Sequence, residues 1–324
     1  MKAQDWRPSA SIENLRRRAQ ILAAIRDFFA VRDVLEVETP ALSHRAVSDP
    51  FIDSIEAAYA PFPGGPVQPL YLQSSPEYAM KRLLAAGSGA IYQLGRAYRN
   101  GESGGRHNPE FTMLEWYRPD FDDAALMDEV EALVCAVLGL PPIRRVTYRA
   151  LFQEQLGLDP LRAPLSQLKA CARASLDVAM EDDDRDSWLN LLMSHLIEPA
   201  LAGQGAVFVH EFPASQAALA RLRPGADGTP VAARFELFIQ GMELANGYHE
   251  LTDAAEQAHR LEADQSSRAS LGLPQRPLEE RLVSALQQGL PDCAGVALGV
   301  DRLVMLALQT LSIRDVIAFP FDRA

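Results

Sequence analysis

Residues 90–117 constrain the fold more than any other stretch. AIYQLGRAYR (90–99) and FTMLEW (111–116) each alternate apolar and polar side chains, the period of a half-buried strand. The loop between them, NGESGGRHNPE, holds three glycines and a proline. The two segments are therefore expected to pair as a long-looped antiparallel hairpin with a mouth wide enough for a nucleotide-sized ligand. Arg99 ends the first strand and faces that mouth, either as a surface ion-pair residue or as an anion contact. Arg106, His107 and Asn108 add hydrogen-bond donors, and Phe111 adds a flat apolar face. Together they suit a phosphate and a purine.

A second hairpin is expected at FELFIQGMELANG (235–247). With Gln240 and Gly241 as a two-residue turn, Phe238 lies opposite Glu243, and Glu236 shares that face as a diagonal neighbour. Two carboxylates about 7–8 Å apart by backbone repel unless a cation sits between them. Magnesium fits, because it reaches proteins through one or two carboxylates plus substrate phosphates. The alternative is a pair of solvent-facing glutamates beside a lysine or arginine. Glu250 and Asp253 add acidity downstream.

GVALGVDRLVML (295–306) puts small residues, which let backbone approach a ligand, immediately before a helical pattern. Arg302 falls in the first helical turn, where the helix dipole favours negative groups. An arginine set against that preference points to a bound anion such as a terminal phosphate.

Elsewhere, Ser11 caps a helix whose apolar positions Leu15, Ala19, Leu22, Ile25 and Phe29 form one stripe. Arg16, Arg17 and Arg18 read as its solvated side, or as a partner contact. VLEVET (34–39) is a β-branched strand halted by Pro40. Residues 47–69 are turn-rich and read as a surface loop. A strand at 70–73 leads into Ser75 as N-cap and Pro76 as first helical residue. Glu77 then serves either as a dipole partner or as a carboxylate facing a cationic substrate. The acidic run EDDDRD (181–186) reads as a solvated helix start.

Composition narrows the function classes. A chain of 324 residues with 48% hydrophobic content can bury one large core. A formal charge of −12 repels phosphate backbones and disfavours extensive nucleic-acid binding. Cys135, Cys171 and Cys293 form no CxxC or Cys/His cluster, which argues against disulfides and structural zinc and for a reducing cytoplasm. The amino-terminal MKAQDWRPSASIENLRRR has no apolar h-region, and nothing approaches the ~18–20 apolar residues of a membrane span.

These residues match a family. The chain resembles the catalytic domain of class II aminoacyl-tRNA synthetases of the lysyl branch. FFAVRDVLEVETPAL (28–42) is similar to the first family motif, YRNGESGGRHNPEFTMLEWY (98–117) to the second and GVALGVDRLVML to the third, while RHNPEFTMLEWY and ELANGYHELTD are the more specific matches. The stretch before residue 28 is too short for the anticodon-binding barrel of that branch. In this the chain looks like the truncated paralogues that attach β-lysine to a lysine of translation elongation factor P.

The resemblance implies an α+β fold, a class II synthetase-like antiparallel sheet flanked by helices. It implies one catalytic domain over residues 1–324 with a helical insert at about 145–230 and no anticodon-binding domain. The cofactors implied are ATP and Mg2+. Arg99 would bind the α-phosphate and Arg302 the γ-phosphate. The ATP site would further comprise Asn100, Gly101, Glu102, His107, Asn108, Phe111, Glu243, Leu244 and Gly299, with Phe111 stacking on adenine. Glu236 and Glu243 would hold magnesium. Ser75, Pro76, Glu77, Tyr117, Glu250 and Ala297 would line the amino-acid pocket, the carboxylates receiving the ammonium groups of β-lysine or lysine.

Two positions depart from the wider family. Many class II enzymes carry glutamate at the position of Gly101, and here Glu102 follows instead. Lysyl-tRNA synthetases resemble one another in a glycine at the position of Ala297, whose methyl favours a displaced amino group by about 1–3 kcal/mol. The implied partners are elongation factor P and a second copy of the chain, as a homodimer paired through the first motif. The implied reaction is ATP-dependent, AMP-forming ligation in two stages, adenylation of the acid and then transfer to an ε-amine. The alternatives are a truncated lysyl-tRNA synthetase-like enzyme acylating tRNA or a small amine, and a silent synthetase-like regulator. Silence usually comes with loss of the phosphate arginines or metal carboxylates, all of which are present.

Overall fold

The computed structural model describes residues 6–324. The first five residues of the amino-terminal stretch expected to lack an apolar leader lie outside them. In chain order the first elements are α1 (Ile12–Ala30), β1 (Leu35–Glu36), β2 (Leu42–Ser43), β3 (Glu56–Tyr59), β4 (Gln68–Leu72), α2 (Glu77–Ala85), β5 (Ile91–Tyr98) and β6 (Glu110–Pro119). Then come α3 (Asp123–Leu138), β7 (Arg144–Thr147), α4 (Tyr148–Leu156), α5 (Leu165–Ser175), α6 (Arg185–Leu192), a π-helical turn (Met193–Ile197) and α7 (Glu198–Leu201). The last are β8 (Ala206–Pro213), β9 (Leu222–Pro224), β10 (Pro230–Ile239), β11 (Met242–His249), α8 (Ala254–Ser270), α9 (Glu280–Gly289), β12 (Cys293–Gly299) and α10 (Val300–Ala307). The fold is α+β. It divides into two compact units, one comprising residues to Asp120, Thr252–Asp292 and Ala297–Ala324, the other Phe121–Leu251 and Cys293–Val296.

In the first unit β5 and β6 pair antiparallel from Ile91↔Tyr117 to Tyr98↔Glu110, the hairpin expected from their alternation. Ser11 caps α1 by accepting the Asn14 amide at 3.1 Å. The buried stripe of α1 is Ile21, Ile25 and Phe29, while Ala19 of the expected stripe is exposed. Phe29 stacks on Tyr92 at 4.4 Å and meets Trp116 edge-on at 5.4 Å, which seats the helix on the hairpin.

Several expectations need correction here. Arg18 is not on a solvated face: its side chain is 11% exposed and paired with Asp301. The strand expected at 34–39 keeps only Leu35 and Glu36 in a ladder, and that ladder is parallel to β5. Thr39 turns its amide to the Gln93 side chain at 2.8 Å, and Pro40 has none to offer. The turn-rich segment 47–69 contains β3, which pairs with β4 in a small sheet ordered β2-β4-β3. Pro76 occupies the N-cap position of α2, one residue later than expected, and the Ser75 hydroxyl still accepts the Glu77 amide at 3.0 Å.

In the second unit β11, β10 and β8 are antiparallel neighbours, and β7 joins β8 in parallel. The expected antiparallel sheet therefore carries a parallel strand in each unit. Tyr148, Phe152, Trp188, Val207, Val209, Phe212 and Phe238 build this core. Helices fill Tyr148–Leu201, narrower than the expected insert, because β8 to β10 return the chain to the sheet. The acidic run is a solvated helix start as expected, with Asp184 capping α6 through the Ser187 amide at 2.8 Å. No helix among the described residues is long and apolar enough to cross a membrane.

Candidate active site

Arg99 leaves β5 where its amide donates to the Pro109 carbonyl at 2.9 Å, just before the two strands part. Its guanidinium lies over the Phe111 ring at 5.2 Å and 3.4 Å from Glu102. Its Nε is buried with no hydrogen-bond partner among the described residues. A buried donor without an acceptor costs free energy, so this nitrogen is poised for an incoming anion. Gly101 has φ +77, a left-handed conformation that glycine adopts without strain, and the carboxylate beside Arg99 comes from Glu102.

The loop is tied down by its own side chains. Asn100 Nδ2 donates to Asp53 Oδ2 at 2.8 Å. Asn108 Nδ2 donates to the Glu110 carbonyl at 2.7 Å, and its Oδ1 accepts the Phe321 amide at 2.9 Å. Asn108 thus shapes the backbone around a prospective purine while its side chain serves the fold. His107 Nε2 lies 2.7 Å from Arg302 Nη2. A guanidinium only donates, so Nε2 accepts and the imidazole carries its proton on Nδ1. Arg302 sits in the first turn of α10, directly after Gly299 at the N-cap. Hairpin loop and helix start thereby bring the two arginines' supports together.

Below the hairpin mouth lies a carboxylate that the sequence reasoning did not single out. Glu115, on β6, is 2% exposed. The Tyr117 hydroxyl donates to its Oε1 at 2.6 Å and the Ser75 hydroxyl to its Oε2 at 2.8 Å. Burial, and then the charge of Glu77, push its carboxyl up to about 7 against those hydrogen bonds and the charge of Lys81. Ser75 and Tyr117 were expected in this pocket and meet on Glu115. Pro76 lies buried between Ser75 and Glu77. The Glu77 carboxylate is engaged by Lys81, whose ammonium donates to Oε1 at 2.7 Å.

The second unit presents the acidic hairpin. Gln240 and Gly241 form the turn with φ of 52° and 70°, and Phe238 pairs with Glu243 as expected. A bulge follows, since Leu237 pairs with Ala245 and leaves buried Leu244 as the extra residue. Glu236 pairs with Asn246 and accepts from Arg234 Nη2 at 2.5 Å. Arg234 also donates to the Gln216 carbonyl at 2.7 Å and lies over Phe212 at 4.6 Å. Burial pushes the Glu236 carboxyl up to about 7 against the pull of Arg234, and the charge of Glu243 adds to the rise. Glu250 is buried, its amide donating to the Cys293 carbonyl at 2.9 Å.

Among the described residues no three His, Cys, Asp or Glu side chains gather into a metal cage. Glu236 already has a cationic partner in Arg234, as in the alternative reading of the hairpin, and Glu243 adds a second carboxylate on the same hairpin. These hard oxygen donors still suit Mg2+, which takes its remaining oxygens from phosphate and water. Glu115 escaped notice because a lone glutamate in an alternating strand carries no spacing signal. Lys81 had one, the i, i+4 spacing from Glu77.

Comparison with known proteins identifies the family. Residues 2–323 match the family model of tRNA synthetases class II (D, K and N). The chain is 51% identical to the elongation factor P–(R)-beta-lysine ligase of Pseudoalteromonas translucida (strain TAC 125) and 51% identical to that of Vibrio cholerae serotype O1, covering 100% of each chain. It is 52% identical to the ligase of that name from Salmonella paratyphi B over 98% of both chains. The chain therefore belongs to the class II tRNA synthetase family, in the branch that contains the elongation factor P–(R)-beta-lysine ligases.

Proposed function

We propose that the chain condenses (R)-β-lysine with ATP to an acyl-adenylate and transfers the β-lysyl group to the ε-amino group of a lysine of elongation factor P. The structural observation that carries this reading is Glu115, a buried carboxylate bracketed by two hydroxyls and lifted toward neutrality. Such a group gains most from an ammonium brought in by a substrate. The full-length likeness to ligases of that name supplies the substrate and acceptor.

In the first stage a substrate carboxylate oxygen attacks the α-phosphorus in line, and the bond to the departing pyrophosphate breaks. Arg99 is assigned the α-phosphate, where its Nε gains an acceptor and its charge stabilises the transition state. Arg302 is assigned the terminal phosphate, in exchange for its contact with His107. Phe111 offers its ring to the adenine, and Gly299 leaves the helix start free of a side chain. Glu236 and Glu243 would hold Mg2+, which when bound offsets the charge of the triphosphate. Glu115, Tyr117 and Ser75 orient the amine end, with Glu250 and Ala297 assigned to the same substrate.

In the second stage the neutral acceptor amine attacks the acyl carbon, an amide forms, and AMP departs with the electrons of the broken acyl–oxygen bond. An unperturbed lysine titrates near ~10.4, so the amine must lose its proton on the way in. The departing phosphate is the nearest acceptor in the chemistry itself. Pairing of two copies through the α1–β1 segment, which exposes Val31 and Leu35, completes the proposal.

ATP–pyrophosphate exchange tests the first stage. Exchange that depends on β-lysine supports the reading, and no exchange with β-lysine or lysine would overturn it.

A further inference from the structure

Lys81, on α2, is completely buried, and its ammonium donates to Glu77 Oε1 at 2.7 Å. Lysines are almost never fully buried unless the charge is matched, and here the match is a carboxylate beside the substrate seat. The groups that face Glu115 come from two elements and the turn before one of them. They are Tyr117 from its own strand, Ser75 from the turn, and Glu77 and Lys81 from α2. Opposite it on β5 lies Gln93, whose amide oxygen is taken by Thr39. Two carboxylates and one ammonium leave one negative charge over, and the hydroxyls donate to Glu115 without cancelling it.

We propose that Lys81 is a positioning residue for substrate recognition: by pairing with Glu77 from a buried site, it keeps Glu115 available as a carboxylate that accepts a substrate ammonium. This inference rests on the amino-acid activation proposed above. Without Lys81 the charge of Glu77 would act on Glu115 unopposed by that ammonium, and Glu115 would hold its proton to higher pH. Lys81 thus lowers the pH at which Glu115 becomes charged, although it need not touch the substrate.

The test compares Lys81→Met and Lys81→Arg with the unaltered protein in β-lysine-dependent pyrophosphate exchange, from about pH 5.5 to 8.5. The acid limb of kcat/KM for β-lysine is expected to move up by about one pH unit or more in Lys81→Met and to stay in place in Lys81→Arg. Most of the loss below that limb is expected in KM. A folded Lys81→Met protein with an unmoved limb would overturn the proposal, and so would an equal shift in both variants. A purely structural lysine would lower stability without moving the limb.

Infrared difference spectra of the ligand-free protein against Glu115→Gln read the same group without any substrate. The Glu115 midpoint is expected about one pH unit higher in Lys81→Met, and an unchanged midpoint refutes the role. An unaltered protein that does not exchange pyrophosphate, yet shows the infrared shift, would sink the proposed activity and leave the Lys81–Glu77–Glu115 arrangement standing.

Discussion

Arg18 Nη1 lies 2.6 Å from Asp301 Oδ1, and both side chains are nearly buried. The second oxygen of the same carboxylate accepts the Thr112 amide at 2.7 Å, and Arg18 Nη2 reaches the Thr112 hydroxyl at 2.8 Å. One arginine from α1 thereby fixes β6 beside Phe111 and the first turn of α10 beside Arg302. The helix that opens the chain is bolted to both ends of the proposed phosphate site.

Removing that bolt is costly. Arg18→Met leaves Asp301 buried without its cation, and breaking a buried pair in this way costs about 3–5 kcal/mol. Denaturant titration should show that loss, together with a raised KM for ATP. Arg18→Lys is not expected to rescue, because a single ammonium cannot reach Asp301, Thr112 and the Val316 carbonyl at once.

Glu115→Gln keeps the shape and one acceptor oxygen while deleting the charge, and its NH2 must donate where the carboxylate accepted a hydroxyl. Losing a buried charged hydrogen bond of this kind costs about 1.5–3 kcal/mol, expected mainly as a higher KM for β-lysine. Steady-state exchange kinetics checks this, with the KM for ATP as the internal control.

The same glutamate gives a pH signature. Its carboxyl is pushed from 4.5 up to about 7 in the folded protein. The folded state therefore holds a proton that the unfolded chain has released. This contribution is complete below pH 4.5 and is lost as pH rises through about 7. Thermal unfolding of the ligand-free protein should show stability falling more steeply between about pH 5 and 7.5 than in Glu115→Gln. Parallel profiles would contradict it.

Gly247 pairs with Phe235 across the acidic hairpin, and a Cβ there would overlap the ring. Gly247→Ala must displace that ring, an overpacking cost of about 1–3 kcal/mol. Denaturant unfolding measures the loss.

Local signals were legible in the sequence and long-range ones were not. The alternation of 90–99 and 111–116 specified the long-looped hairpin, and Gln-Gly at 240–241 specified a turn that sets Phe238 against Glu243. The bulge at Leu244 left no mark, because one extra apolar residue does not disturb the pattern. Arg18 was misread since three consecutive arginines look alike until a partner far along the chain selects one. Strand β3 was hidden because Glu56–Tyr59 is short and alanine-rich between turn residues. At the site the expected members Ser75 and Tyr117 converge, while the carboxylate on which they converge was overlooked.

Transfer of labelled (R)-β-lysine is the most direct test of the proposed activity, with purified elongation factor P and lysine tRNA offered side by side to the protein and ATP. The label is expected on a lysine side chain of elongation factor P, in an amide bond stable to mild base, and absent from the tRNA. Label that appears only on tRNA, in a base-labile ester, would contradict the assignment of the acceptor.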